Sequence, residues 1–468
     1  MMEPDGHLPP TAGGLFLPFL MAGWHLRLLL AARATRWILL AWVVLVAVCA
    51  SGGALAGRAE RAAHDAVEAS LPRFHEAWAA AYGQEAYRPV HFTAEHPLVL
   101  HLAPAPGRAL AGGVGDAVGA WAQPTGYHVR ELEGRRPAAD PTAGRLDLTA
   151  LVVGAGALLA LALGHDALAG ERDRATLALH DASGVGPLPL LLGKWGGVLA
   201  AAAVVLLLPV ALAVAALGAA GELGGGGWAL GLAYVGLCAA YVGAWGTLGL
   251  AISCWSRAAS TALVAGVALW VLAGVVAPRA LGTFADRRHV VAPPAGVEQA
   301  LQGVLASAKA AYRVRLAAAR AEHGALDAGD LAALRLAYHE DYYARASRLL
   351  QPVERALAAR RAWLDGACWL TPSLGFQLAA CRLAGTDGTR HHAFREAADR
   401  HASTLRRWVD LRVLAGKPGR PTWGELPPFS PAEAAPGARL GGALAALVAW
   451  TLCGLLLGWL GLVTPRNR

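Results

Sequence analysis

The sequence has few charged residues. Aspartate, glutamate, lysine and arginine make up 16% of its 468 residues, whereas hydrophobic residues make up 56%. In soluble domains about a quarter of the residues are charged, so this shortage argues against an ordinary soluble protein. The lysines and arginines also form no dense run, which argues against a nucleic-acid partner, because nucleic acids are bound by a clustered basic face. We therefore expect a membrane protein.

Sequence motifs for catalysis are also missing. The phosphate-binding loop of an ATPase has the pattern Gly-x-x-x-x-Gly-Lys-[Ser/Thr]. Gly193 and Lys194 do not complete this pattern, because a tryptophan follows them and a leucine stands five residues before Gly193. No Ser/His/Asp arrangement with a recognisable spacing is present either. We expect no catalytic residue in this chain, and a membrane-embedded enzyme is the function that the sequence supports least.

The histidines form no recognisable metal-binding set. His75 and Glu76 begin like a metalloprotease helix, but Ala79 stands where this chemistry needs a second histidine. Two other groups invite the same question: His91, His96 and His101, and His391, His392 and His401. The first group recurs every five residues, which fits neither one helix face nor one strand face, and the second contains no compact ligand set. We expect surface or partly buried histidines, and neither a metal nor a cofactor bound by this chain.

The six cysteines are scattered along the chain. Four of them fall in or beside long apolar segments, where cysteine behaves as a small apolar residue. Cys368 and Cys381 lie in one polar region and could form a disulfide in an oxidising compartment, but no second pair completes a disulfide framework. Both a disulfide and two free thiols remain open for these two residues.

Six apolar segments are each long enough to cross the ~30 Å hydrocarbon core of a bilayer as a helix of about 20 residues. They cover residues 37–57, 148–169, 196–219, 228–253, 259–278 and 439–462, so that four of them lie together in 148–278. A cleaved signal peptide is the alternative for the first segment, but this run begins later than signal peptides do and is long enough to span. We predict an all-α polytopic membrane protein with six transmembrane helices.

Two polar regions interrupt the apolar segments. Residues 58–146 begin with a helical pattern and continue with short, proline-containing apolar runs, so we predict a small mixed α/β domain there. Residues 283–435 carry apolar residues at helical spacing over 297–323, 328–364 and 391–415. This pattern predicts a larger helical domain.

Basic residues near the ends of the apolar segments predict the orientation, because lysine and arginine are retained on the cytoplasmic side. Arg172, Arg174 and Lys194 place the loop 170–194 in the cytoplasm, whereas the connector 221–227 contains neither lysine nor arginine. With alternating crossings, both polar regions are extracytoplasmic.

The two termini are then both cytoplasmic. Residues 1–36 are predicted as a tail followed by an amphipathic elbow helix, because arginines interrupt a broad apolar face, as they do in helices that lie in the membrane interface. A flank without defined structure is the alternative for this helix. Residues 463–468 form a short basic tail.

The loop 170–194 also carries an ordered set of residues. In chain order these are Gly170, Glu171, Arg172, Thr176, Leu177, Gly193 and Lys194. The set resembles the Gly-Glu-Arg, Gly-Thr-Leu and Gly-Lys signature of ABC-2-type transporter permeases, in which this loop is the coupling helix that meets the ATPase subunit. The resemblance implies that these residues, with Arg174, form an ATPase-coupling loop. Orientation by flanking basic groups is the alternative, and it explains Arg172 and Lys194 but not the order from Glu171 to Leu177.

A second resemblance lies between the fifth and sixth apolar segments. The block 371–394 is similar to one in a subgroup of ABC-2-like permeases that carries a large extracytoplasmic insertion, a domain of unknown function, before the last membrane helix. The residues that carry the match include Pro372, Phe376, Gln377, Gly385, Thr386, Asp387, His391 and Phe394. Arg88-Pro89 and His96-Pro97-Leu98 in the first polar region also resemble this subgroup. Thr386 and Asp387 precede a helical run, where they favour a turn and a helix N-cap.

The resemblance implies a function for the chain. It would be the permease subunit of an exporter in the bacterial inner membrane, with ATP and Mg bound by a separate cytosolic ATPase and with a second permease copy, identical or different. The transported substrate is unknown. From the extracytoplasmic regions we expect a periplasmic or envelope partner. The near-absence of ionisable residues within the apolar segments argues against an ion-coupled transporter. The alternative is a membrane-anchored binding, sensing or envelope-assembly protein without transport activity.

Overall fold

The computed structural model describes most of the chain. The described residues are 17–81, 99–113, 121–123, 130–132, 147–224, 227–417, 419–430 and 440–464. Several predicted features lie outside them: Arg88-Pro89, His91, His96-Pro97-Leu98 and most of the tail 463–468.

Helices dominate the described residues, and six of them are long and apolar enough to cross a membrane. These spans are span 1 (Thr35–Ala81), span 2 (Leu148–Asp173), span 3 (Pro187–Ala219), span 4 (Gly227–Trp255), span 5 (Ala259–Arg288) and span 6 (Leu440–Val463). The prediction of an all-α polytopic membrane protein with six transmembrane helices is confirmed.

Span 1 does not end where its apolar stretch ends. The sequence separates a membrane segment at 37–57 from a polar region at 58–146, but one helix runs without a break over Arg33–Ala81. At 1.5 Å per residue its 49 residues measure roughly 73 Å, more than twice the hydrocarbon thickness. The first polar region therefore begins as a direct continuation of span 1.

The far end of span 1 joins a small hydrophobic core that both polar regions share. Trp78 of span 1 packs in this core with Leu100 and Ala122 and with Phe394 and Val409 of the second region. His75 and the carbonyl of Pro421 also lie within hydrogen-bond distance, 3.2 Å apart. The two regions thus form one outer unit in the described residues, and a separate first domain is not seen.

The strands of this unit are short. β1 (Leu100–His101), β2 (Trp121–Gln123) and β3 (Arg130–Leu132) form an antiparallel sheet in the order β1-β2-β3, with Leu100 opposite Ala122 and Trp121 opposite Leu132. They are the only strands among the described residues. The small sheet is therefore an addition to a helical protein.

The second polar region is helical. Helices outside the spans are labelled α1 to α6, and α3 (Pro294–His323), α4 (Ala328–Ala367) and α6 (Gly388–Leu414) cover the three segments whose spacing predicts helices. α4 packs on α6 through a buried carboxylate: Asp410 accepts from Arg335 Nε (2.7 Å) and lies 3.3 Å from His339. A capping box of Asp327 and Asp330 starts α4.

Span 4 is the centre of the bundle. Its Tyr234, Tyr241 and Trp245 are fully buried. Gly249 lies against the Leu161 carbonyl of span 2, where any side chain would collide with that backbone. Small residues allow such close approach of helices in lipid, where no hydrophobic effect drives association.

The two ends of the bundle are distinct. At the loop end, which contains loop 170–194, Trp255 of span 4 donates to the Leu457 carbonyl of span 6 (2.9 Å). At the opposite end, the outer end, Trp450 of span 6 donates to the Trp369 carbonyl (3.1 Å). Exposed tryptophans such as Trp37 and Trp228 lie toward the two ends, as in the aromatic belts of membrane proteins.

A buried carboxylate forms two ion pairs at the outer end of the bundle. Glu222, in the connector between spans 3 and 4, is only 3% exposed and pairs with both Arg58 and Arg61 of span 1. Burial raises the pKa of Glu222, but the hydrogen bonds and charges of the two arginines outweigh this effect, so its pKa lies below the usual 4.5. The connector and the continuation of span 1 are therefore tied on the same side of the bundle.

The ion pairs of Glu222 with Arg58 and Arg61, which we call the clamp, predict a pH dependence of stability. Because the pKa of Glu222 is lowered in the folded state, its stabilisation is fully present above pH 4.5, weakens below that value and is lost as the pH falls through the lower pKa of the folded state. We expect Glu222→Gln to lower the melting temperature at pH 7 and to make a smaller difference at pH 3.5, where part of the stabilisation is lost. Thermal unfolding of both proteins in detergent measures this; an equal difference at the two pH values would contradict the clamp.

Candidate functional site

Loop 170–194 joins spans 2 and 3 at the loop end of the bundle. It contains the end of span 2, the short helix α2 (Leu177–Ala182) and the start of span 3 at Pro187. Span 3 thus begins nine residues before the predicted 196, and Gly193 and Lys194 lie within its first turns. The reason is that Pro187 stands at the first helical position after the extended Gly186, and proline fits this position because its missing N–H is not needed there.

Arg172 attaches the loop to the end of span 4 by hydrogen bonds. Its Nη1 donates to the carbonyls of Ser253 (3.0 Å) and Ser256 (2.8 Å) at the end of span 4. The last carbonyls of a helix have no partner within the helix and carry a partial negative charge. Ser253 Oγ in turn accepts from the N–H groups of Leu168 and Ala169. The guanidinium therefore binds span 2 to span 4.

Asp173 makes the next connection. Its Oδ2 accepts from the N–H of Ala259 (2.8 Å), the first residue of span 5. This N–H is one of the unpaired donors at a helix start, so a carboxylate is favoured there. Arg172 and Asp173 together attach the loop to the junction between spans 4 and 5.

Glu171 and Lys194 form a buried ion pair across the loop. Their side chains are 13% and 7% exposed, and His180 lies 3.3 Å from the second carboxylate oxygen. Thr176 donates to the Glu171 carbonyl through its N–H (2.9 Å) and its hydroxyl (3.2 Å). These contacts hold α2 against the start of span 3.

The two glycines of the signature allow close packing. Gly170 lies against the Asp166 carboxylate, which would have to move to admit a side chain there. A Cβ on Gly193 would lie 2.8 Å from Met21 Cβ of α1 (Leu17–Ala31), the helix that was predicted as the elbow. α1 packs along span 3 across Gly193, Gly196 and Gly197.

His25 of α1 was not identified from the sequence. It is buried against Gly197, near the Glu171 and Lys194 pair. Burial and the Lys194 charge lower its pKa to about 4, although Glu171 opposes the shift. At neutral pH the ring is uncharged, so His25 adds no positive charge to the buried pair.

The residues that the loop exposes are mostly not its signature residues. Leu179 is 64% exposed on α2, and Leu188 is 51% exposed at the start of span 3. Arg174 is also exposed, with only a 3.7 Å contact to Asp166. No local pattern marked the two leucines, because apolar residues are common throughout this chain. That Glu171, Arg172 and Lys194 themselves contact another protein stays a prediction, and their burial favours an internal role.

The first part of block 371–394 forms α5 (Pro372–Ala384). Thr371 caps this helix by accepting from the Ser373 N–H (3.3 Å). Phe376 is fully buried and stacks on Tyr241 of span 4, with ring centroids 4.4 Å apart, whereas Gln377 is exposed. α5 therefore packs among the spans at the outer end.

The second part of the block turns into α6. Gly385 adopts a left-handed conformation (φ 70°), and Thr386 donates its N–H to the Cys381 carbonyl (2.9 Å). Asp387 has the extended backbone of an N-cap, but its side chain accepts from the Thr389 hydroxyl (2.7 Å) and lies 3.9 Å from Arg382 Nε rather than capping the helix. On α6, His391 lies near the buried Phe394. The block thus has a structural role in these contacts.

No metal centre is found in the described part of the chain, where no group of three or more His, Cys, Asp or Glu residues could hold an ion. His91 and His96 lie outside that part. His101 instead forms a close pair with His64 of span 1. Cys368 and Cys381 are both free thiols.

Comparison with known families gives two matches. The family described as ABC-2 family transporter protein matches residues 30–350, which contain spans 1 to 5 and loop 170–194. A domain of unknown function (DUF3526) matches residues 298–432, which contain α5 and block 371–394. No curated protein and no solved structure matches the chain.

Proposed function

The chain belongs to the ABC-2 family of transporter proteins, and from this premise we propose that it is the permease subunit of an ATP-binding-cassette exporter. It is a multi-pass membrane protein of a transport family, as its spans and its family match agree. The substrate crosses the membrane on the energy of ATP, and a separate ATPase supplies that energy. ATP and Mg are bound by this partner.

The observation that carries the proposal is the construction of loop 170–194. Its residues Glu171, Arg172 and Lys194 are held by contacts within the bundle, while Leu179 of α2, Leu188 at the start of span 3 and Arg174 after span 2 are exposed at the same end. A partly apolar surface of this kind, with the short helix α2 in it, is suited to contact a groove of a partner protein. We call these three residues the docking surface.

The internal contacts of the loop give it a way to move the spans. A displacement of α2 would reach the end of span 2 through the contact of His180 with Glu171. From there it would reach span 3 through Lys194, span 4 through Arg172, and span 5 through Asp173. Three spans are thereby connected to α2 through the end of span 2. Binding and release of nucleotide by the partner ATPase would shift the bundle between two arrangements, as coupled transitions require.

The remaining features follow from the same proposal. The loop end and both termini face the cytosol of a bacterial cell, the outer unit faces the periplasm, and a second permease copy, identical or different, completes the transporter. The arginines and the lysine at the loop end support this orientation. An envelope partner or cargo meets the outer unit.

Co-expression with an ATP-binding-cassette ATPase from the same cell tests the proposal. We expect the two proteins to purify together in detergent, and we expect the ATPase rate in liposomes to differ severalfold with and without the permease. A chain that neither retains the ATPase nor changes its rate would contradict the proposal and would favour a binding or sensing protein without transport.

A further inference from the structure

α5 is placed unusually for a helix that the sequence assigns to an outer region. It lies between spans 5 and 6 in the chain, yet it packs against spans 4 and 6 inside the outer end of the bundle. Its Ser373, Phe376, Ala380 and Ala384 are completely buried, and Phe376 belongs to the same core as Trp42 and Tyr241 of the spans. Through α5 the outer unit therefore packs directly into the core of the membrane bundle.

Two of the spans that α5 contacts, spans 2 and 5, change helical form at the contact. Span 2 contains a π-helical segment at Val152–Gly156 and span 5 contains one at Trp270–Val276, and α5 packs against both. In a π-helix the wider turn disturbs the regular hydrogen bonding, and such segments occur mostly at functional sites. Their carbonyls are thus available to donors from other helices.

Side chains of neighbouring helices occupy these carbonyls. Tyr241 of span 4 donates to the Val153 carbonyl and lies within hydrogen-bond distance of Ser373 Oγ on α5, both at 2.9 Å. Thr371, the cap of α5, donates to the Ala273 carbonyl of span 5. Thr371 thus connects α5 directly to a carbonyl of the π segment in span 5. Ser373 connects α5 through Tyr241 to a carbonyl of the π segment in span 2.

A buried turn ties the other end of α5 to spans 1 and 2. Gly107 donates its N–H to the Ala384 carbonyl at the end of α5 (3.0 Å). Three residues later, Leu110 is fully buried and its carbonyl accepts from the N–H and the hydroxyl of Thr149 in span 2. Ala109 of the same turn lies directly against Gly53 of span 1.

α5 is equally well connected to the outer unit. Arg382 pairs with Asp365 of α4, and the single turn at Gly385 leads into α6. α6 then packs through Phe394 against Trp78 at the end of span 1. A movement of α5 therefore cannot be absorbed locally, because close-packed interiors transmit displacement.

We propose that this chain has a second function: it transmits conformational change from the spans to the outer unit, with α5 as the lever. Conversion of a π segment to an α-helix shifts the register beyond it by one residue, about 1.5 Å and 100° of rotation. Such a shift in span 2 or 5 removes the carbonyls that Tyr241 and Thr371 use, so α5 must move and take α4 and α6 with it. The step rests on the proposed function for its source of energy, and it delivers that energy as mechanical work on an envelope partner.

Hydrogen–deuterium exchange of the full-length protein in lipid nanodiscs tests the lever. We expect Thr371→Val and Tyr241→Phe each to increase exchange about fivefold in α6 (Gly388–Leu414), the factor that one lost hydrogen bond is worth. Thr371→Ser keeps the hydroxyl and should behave like the unchanged protein. Trp255→Phe, which removes a hydrogen bond of similar kind at the loop end, should leave α6 unchanged.

The outcomes separate the lever from the permease. An increase confined to α5 and its immediate neighbours, with α6 unchanged in both variants, would overturn the lever. The ATPase rate in the presence of each variant is measured in the same preparations. If the permease changes the ATPase rate while α6 stays unresponsive, the proposed function holds and the lever is overturned. If α6 responds but the ATPase rate does not change, the connection from α5 to α6 holds, whereas the proposed function, and with it the lever's source of energy, is overturned.

Discussion

Replacing Leu179 with aspartate should abolish coupling to the partner ATPase. Leu179 is 64% exposed on α2, so the substitution does not disturb the interior of the bundle. An apolar anchor at the centre of a protein interface is typically worth 2 kcal/mol or more, and a buried unpaired carboxylate adds to the loss. We expect the affinity for the ATPase to fall by about thirtyfold or more, measured by titrating the ATPase against the permease in nanodiscs.

The matched control for this variant is Val314→Asp. Val314 is also strongly exposed, but it lies on α3 in the outer unit, at the opposite end of the bundle. The two variants should have the same melting temperature as the unchanged protein, and only Leu179→Asp should lose the ATPase. If Leu179→Asp binds the ATPase as tightly as Val314→Asp does, Leu179 is not part of the docking surface.

The second large effect concerns the buried ion pair. Removing one partner of a buried pair leaves a charge without compensation, which typically costs about 3–5 kcal/mol, whereas replacing both partners is often close to neutral. Glu171→Gln and Lys194→Met should therefore each destabilise the protein strongly, and the double variant should recover most of the loss. Thermal unfolding in detergent, combined as a double-mutant cycle, measures the coupling between the two sites.

A surface pair provides the comparison. Arg345 and Asp341 form an i,i+4 pair on α4 that is far more exposed, and such pairs contribute at most about 1 kcal/mol. Asp341→Asn should change the stability little. Equal and additive effects at Glu171 and Lys194, without recovery in the double variant, would show that their pairing does not stabilise the loop.

Much of the fold could be predicted because it follows from local composition. The six spans are recognisable since each requires only length and apolarity, and α3, α4 and α6 follow from the helical spacing of their apolar residues. The length of span 1 was missed for the same reason: the helix continues beyond residue 57, where its composition becomes polar, and composition alone cannot tell a membrane helix from its soluble continuation.

The candidate site could be predicted only in its position in the chain. The signature identified loop 170–194. It could not show that Arg172 donates hydrogen bonds to the carbonyls of Ser253 and Ser256, some 80 residues further on. The docking leucines carry no distinguishing pattern. The location of α5 depends on contacts with spans 4 and 6, and nothing in its own sequence distinguishes it from a helix of the outer unit.

The position of the loop relative to the membrane tests the central claim most directly. Ser183 and Ala325 are both exposed, and three spans separate them. Each is replaced by cysteine and labelled with a membrane-impermeant maleimide, with the parent protein as background for its native cysteines. The account predicts labelling of position 325 from the periplasmic side of intact inner membranes and of position 183 only in inverted vesicles. Labelling of both positions from the same side would contradict it.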